Sequence, residues 1–143
     1  MVNSEQIGAA WDKIRGHVVR TPVIQTDVFG LSLAIKLEHM QHTGSFKARG
    51  AMNSLLSMNV PNAGLVAASG GNHGAAVAWA AASLGHKARI YVPEIAGQAK
   101  INLIKNIMYL SISNNFFASI FALFPQNFFN SKQLIVFRGS VSS

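Results

Sequence analysis

Two short segments hold residue types at spacings that could do chemistry. The first is Glu38-His39-Met40-Gln41-His42-Thr43-Gly44-Ser45-Phe46-Lys47-Ala48-Arg49-Gly50. It places Lys47 near the start of a predicted helix, behind a glycine-containing turn. The positive end of that helix and the neighbouring Arg49 disfavour a charge on the amine, which is one route to a lysine able to form a Schiff base. On the residues alone, a lysine so placed is most often simply solvated. The second segment is Ser69-Gly70-Gly71-Asn72-His73-Gly74, between a predicted strand and a predicted helix. Adjacent glycines let the backbone approach a ligand closely, and successive N–H groups at a helix start form a nest for an anion. The loop therefore suits a carboxylate or a phosphate; the same residues also read as a tight turn with Asn72 as the helix cap. It is neither a Walker A loop nor a GxGxxG loop.

The elements that must position these segments alternate. A helix is predicted over 3–15, with Ser4 as cap and Ile7, Ala10, Trp11 and Ile14 on one face. Thr21-Pro22-Val23 turns the chain into an extended piece, and 33–38 reads as a strand that includes Glu38. A helix over 45–58 carries Ala48, Met52, Leu55 and Leu56 at helical spacing. A short apolar strand over 64–69 leads to an alanine-rich helix over 72–84, which stops at Gly85 as a C-terminal glycine should. Val77, Ala78, Ala81 and Ala82 form its core face. A strand over 89–92 and a helix from 98 to 106 follow. Strands alternating with helices imply an α/β fold, a parallel sheet with flanking helices. Ligands in such folds bind at the carboxyl ends of the strands, where the Ser69–Gly74 loop falls.

Together, ExxxxTGSFKxRGA and SGGNHG resemble the fold-type II (tryptophan synthase beta-like) pyridoxal-phosphate (PLP) enzymes, and within them the serine/threonine dehydratases and their serine racemase relatives. The resemblance runs from about Trp11 to Asn106 and includes Arg20-Thr21-Pro22-Val23 and Tyr91-Val92-Pro93-Glu94. It implies the small N-terminal domain of such an enzyme and PLP as cofactor. It implies that Lys47 carries PLP as a Schiff base and serves as the catalytic base, that Phe46 packs beside the cofactor ring, and that Asn72 binds its phenolic oxygen. The substrate carboxylate would lie on Ser69, Gly70, Gly71, Asn72 and His73, while Thr43 and Ser45 shape the turn presenting Lys47. The implied reaction is β-elimination from L-serine or L-threonine, giving a 2-oxo acid and ammonia. Racemase relatives carry a second serine where this chain has Gly70, which favours elimination over racemisation. The family's glycine-rich phosphate loop has no counterpart after Asn106, where Gly139 is the only glycine. The resemblance thus implies an N-terminal fragment, inactive alone, with an apolar surface exposed where a second domain would dock.

Composition supports and limits this reading. The chain has 143 residues, half of them hydrophobic and 12% charged, which fits one globular domain rather than a disordered segment. With no cysteine there is no disulfide framework and no thiol nucleophile, and nothing at the N-terminus reads as a secretory signal; the expectation is a cytoplasmic protein. The net charge of +7 comes from having only 5 acids, with Lys and Arg scattered singly, so no nucleic-acid partner is expected. The expected partner is a small amino-acid substrate; a family-like homo-oligomer is not readable. No metal is expected, since His39 and His42 form an HxxH without a third ligand. The domain reading is 1–106 as the family part and 107–143 as a divergent tail. Seven of the nine phenylalanines fall between Phe116 and Phe137, and no charge lies between Lys105 and Lys132. Residues 107–124 are marginally long enough for a membrane span, but Asn114 and Asn115 sit in the middle, so non-native coding sequence is preferred. Two rivals remain: a non-catalytic carboxylate- or PLP-binding fragment, and a small membrane-tethered protein.

Overall fold

The computed structural model describes residues 1–92 and 97–107; the expectations for 107–143 lie outside them except at Ile107. The first helix, α1 (Ser4–Ile14), begins one residue earlier than a Ser4 cap would require. Asn3 is the cap: its side chain accepts from the Gln6 N–H at 2.8 Å, and the Gln6 side chain accepts from the Asn3 N–H at 3.1 Å, a reciprocal capping box. Of the apolar face expected on this helix, Ile14 is buried while Ile7 and Trp11 remain exposed.

The predicted strand at 33–38 departs most from expectation. Strand β1 (Val23–Val28) pairs antiparallel with β2 (Leu31–Lys36) in a hairpin, from Val23 opposite Lys36 to Val28 opposite Leu31. Both residues between them have positive φ, Phe29 at 54° and Gly30 at 75°, as a type I′ turn requires. Glu38 lies outside the strand, in a 3₁₀ turn (Glu38–Met40) followed by a second (His42–Gly44).

Helix α2 (Lys47–Leu56), strand β3 (Leu65–Ala68), helix α3 (Asn72–Ser83), strand β4 (Ala88–Tyr91) and helix α4 (Gln98–Ile107) follow. β3 and β4 are parallel, with Leu65 opposite Ala88 and Ala68 opposite Tyr91, so β3–α3–β4 is a βαβ unit. α3 packs against α2 on one side and α4 on another. Its alanines make this close approach feasible: Ala75, Ala76, Ala78, Ala80 and Ala81 are buried with Val77, while Ala82 is exposed. Met52, Leu55, Leu65 and Ile90 complete the fully buried core. Gly64 closes the turn into β3 at φ +91°, where a Cβ would lie 2.7 Å from that of Lys87. The architecture is α/β, with the parallel pair and the hairpin as separate two-stranded sheets among the described residues.

Candidate active site

Lys47 is the first residue of α2. The chain reaches it through a kinked turn in which Thr43 (φ 60°) and Gly44 (φ 69°) both take left-handed conformations before Ser45 returns to an extended one. Phe46 is exposed, and the Lys47 ammonium lies over its ring, 4.7 Å from the centroid. Ser45 is buried, and the hydroxyl oxygens of Thr43 and Ser45 are buried without a protein partner.

The platform beneath Lys47 is polar, and residue spacing does not announce it. Arg49 donates from Nε and Nη2 to the two oxygens of Glu38, at 2.8 and 2.7 Å, a bidentate pair. Its Nη2 also donates to the Val19 carbonyl at 3.0 Å and to Thr21 Oγ1 at 3.3 Å. The Thr21 hydroxyl donates to Glu38 at 2.5 Å, and Lys36 Nζ donates to the Thr21 carbonyl at 2.9 Å. Buried Gln41 donates to the Val19 carbonyl at 2.8 Å and accepts the Val19 N–H at 3.0 Å, imitating a strand neighbour. The segment before β1, the 3₁₀ turns and α2 are thereby tied together. Arg49 is thus ion-paired, rather than an uncompensated cation acting on Lys47. Hydrogen bonding by Arg49 outweighs the cost of burial and, with Thr21 and Lys36 helping, holds the Glu38 carboxyl down at about 2.

The second segment lies at the end of β3. The Ser69 N–H donates to the Tyr91 carbonyl at 2.9 Å, which extends the parallel ladder by one step. Ser69 Oγ then accepts the Gly71 N–H at 3.2 Å. Gly71, not Asn72, is the N-cap of α3; it is extended, and Asn72 is the first helical residue. A Cβ at Gly71 would meet nothing within 4 Å, so the loop presents an open backbone face. A Cβ at Gly74 would instead lie 2.6 Å from the Ser69 carbonyl oxygen. His73 is half-buried; burial first, and the charge of Lys47 second, lower its pKa and favour the neutral imidazole. The Lys47 segment and the loop are therefore within electrostatic reach, brought together by the packing of α2 on α3.

His39 and His42 fall in different 3₁₀ turns. His42 stacks on Trp79 of α3, with ring centroids 4.5 Å apart and planes 18° from parallel. Among the described residues no group of three or more His, Cys, Asp or Glu gathers that could hold a metal ion. Nor is any described helix long and apolar enough to cross a membrane. The residues present fit one side of a PLP site. They offer a primary amine at the head of a helix beside an exposed aromatic ring, and a glycine loop with open backbone at the head of a 12-residue helix. Glu38, Arg49, Gln41 and Gly74 stand inside the two segments, but only the three-dimensional contacts assign them work. Pairing across eleven residues, or a helix lying on a carbonyl, leaves no mark in spacing.

The profile of the pyridoxal-phosphate dependent enzyme family matches residues 14–107, and the chain belongs to that family. It is 41% identical over 107 residues to the L-threonine dehydratase catabolic TdcB of Staphylococcus aureus (strain USA300), covering 70% of this chain and 31% of that protein. It superposes on the threonine deaminase of T.th. with a TM-score of 0.70 at 35% identity, covering 80% of this chain and 37% of that one. For maize serine racemase the TM-score is 0.73 at 33% identity, covering 82% and 38%. These matches define the fold as part of a fold-type II PLP enzyme domain. The cofactor of the family is PLP, and the chain spans about a third of the length of the curated relatives it matches.

Proposed function

We propose that this chain supplies the lysine and carboxylate-loop side of a PLP-dependent site for β-elimination from L-serine or L-threonine. The carrying observation is that α2, which Lys47 heads, packs on α3, which the Ser69–His73 loop leads into, with the Lys47 charge reaching His73. Lys47 Nζ would hold the cofactor and, once displaced by the substrate amine, take the Cα proton. Phe46 would flank the ring and Asn72 would meet its phenolic oxygen. The Ser69–His73 loop would hold the substrate carboxylate through the Ser69 hydroxyl and the backbone N–H groups of Gly70, Asn72 and His73, since the N–H groups of Ser69 and Gly71 are bonded to the Tyr91 carbonyl and to Ser69 Oγ. Bound PLP supplies a sink for the electrons left at Cα.

Racemisation is the second reading, favoured by relatives that are serine and aspartate racemases. Gly70 counts against it, because a glycine offers no acid or base to the opposite face of Cα. On their own these 143 residues are expected not to turn over. Alignment of the breaking bond is worth roughly 7–11 kcal/mol, and losing half of it would cost a factor on the order of a thousand. A coupled assay for 2-oxo acid, with PLP and L-serine or L-threonine, tests both parts. The chain alone should give no rate. A rate abolished by Lys47→Ala would overturn the inactivity while supporting the reaction, and D-serine formation would favour racemisation.

A further inference from the structure

We propose that His42, stacked on Trp79, is a positioning residue that fixes the turn presenting Lys47 against helix α3; this rests on the reading of Lys47 and Asn72 given above. The ring centroids lie 4.5 Å apart with planes 18° from parallel, so two flat faces meet rather than an edge and a face. Trp79 packs against the hydrophobic core, which makes it a firm seat. It stands seven residues after Asn72, two turns along α3, so both lie on the same side of the helix. Asn72 is the residue proposed to meet the phenolic oxygen of the cofactor.

The turn needs a hold from outside itself. Thr43 takes φ 60°, a conformation unfavourable to a β-branched residue, and Gly44 follows at 69°. The Thr43 hydroxyl oxygen is buried without a protein partner, so its own side chain does not fasten the kink. Within the turn, the Gly44 N–H donates to the Gln41 carbonyl at 2.8 Å. Gln41 is tied to Val19 by two hydrogen bonds, which fix the turn to the segment before β1 and not to α3. The turn His42–Gly44 packs on α3, and the His42 ring is what rests on Trp79 there. Lys47 follows the turn, and Asn72 begins the helix on which the ring rests. The stack therefore sets the gap that a ligand joined to both residues must span. Without the ring, the Lys47 amine remains able to react but is no longer held at a fixed distance from Asn72. A probe that meets both residues should feel that loss, and a probe that meets Lys47 alone should not. A residue that merely held the fold together would affect both probes alike.

The test uses the full chain and two aldehydes, PLP and its deoxy counterpart that lacks the phenolic oxygen. Each forms an imine with the lysine amine and releases water. The adduct is followed by absorbance, and only the part absent from Lys47→Ala is counted. His42→Ala should weaken the PLP adduct about fivefold, the scale of one lost aromatic pair, and leave the deoxy adduct within about twofold. His42→Phe, which restores a flat ring, should return both to wild-type values. Wild-type affinity for PLP in His42→Ala, equal loss of both adducts in a folded variant, or no recovery in His42→Phe would overturn the proposal. If His42→Ala does not fold, Trp79→Leu keeps an apolar side chain against the core and removes the ring from the other side. It should show the same selective loss, and no loss would overturn the proposal. A wild type that forms no Lys47 adduct with either aldehyde would contradict the proposed reaction instead. Amide hydrogen exchange then decides the role of the stack: the Gly44 N–H should exchange about fivefold faster in His42→Ala and at the wild-type rate in His42→Phe. An unchanged rate in His42→Ala would overturn it.

Discussion

The Glu38 carboxylate accepts two hydrogen bonds from Arg49 and one from Thr21, and remains ionised down to about pH 2. Its folded pKa lies below the ordinary 4.5, so its contribution is full above that value and is lost as the pH falls from about 4.5 toward about 2. With the carboxylate only 19% exposed, that contribution is on the order of 3 kcal/mol at most. Glu38→Gln should therefore cost about 1–3 kcal/mol at neutral pH and flatten the pH dependence of urea unfolding between about 4.5 and 2. An unchanged slope would mean that the pair does not hold the turn. His73 acts in a higher window. Because the folded chain binds its proton less readily than the unfolded chain, stability should also fall as the pH drops below about 6.5. At Gly71 the fold has room for a side chain and the proposed ligand does not. Gly71→Val should leave the thermal melt in place and abolish carboxylate and PLP binding, whereas wild-type binding would reduce the loop to a turn.

The hairpin β1–β2 shows what spacing conveys and what it does not. The strand β3, the helix α3 and its Gly85 stop were legible because apolar runs and glycine punctuation mark them directly. α2 was legible from Ala48, Met52 and Leu55, although it begins two residues later than predicted. The hairpin was not legible, because its turn is Phe29-Gly30 rather than the Asn-Gly or Asp-Gly that signals a type I′ connection. From the sequence, Leu33 and Ile35 therefore read as part of a strand in the parallel sheet. Ile24, Thr26 and Val28 lie opposite Ile35, Leu33 and Leu31, so one face of the hairpin is almost wholly apolar. Its four large residues Ile24, Leu31, Leu33 and Ile35 are all exposed, which accords with the apolar surface expected of this chain on its own. Leu33→Lys with Ile35→Lys should reduce aggregation and binding of a hydrophobic dye while leaving the melting temperature within a few degrees. A large drop in melting temperature would show that this face packs against the rest of the chain.

At the scale of the whole molecule, a βαβ unit and a polar platform carry two segments of a PLP enzyme, in a chain about a third as long as its curated relatives. Family and cofactor were legible in the sequence because two specific segments occur in the right order. The network joining Val19, Thr21, Glu38, Gln41 and Arg49 was not, because it is made of contacts between segments far apart in the chain. The central claim is that Lys47 is placed to react with PLP. Its most direct test is a difference spectrum of the full chain on adding PLP, with Lys47→Ala in parallel. A band at roughly 410–430 nm, the region of a protonated Schiff base, should appear in the wild type and be absent from Lys47→Ala. Equal bands in both chains, or none in a wild type shown to be folded, would contradict it.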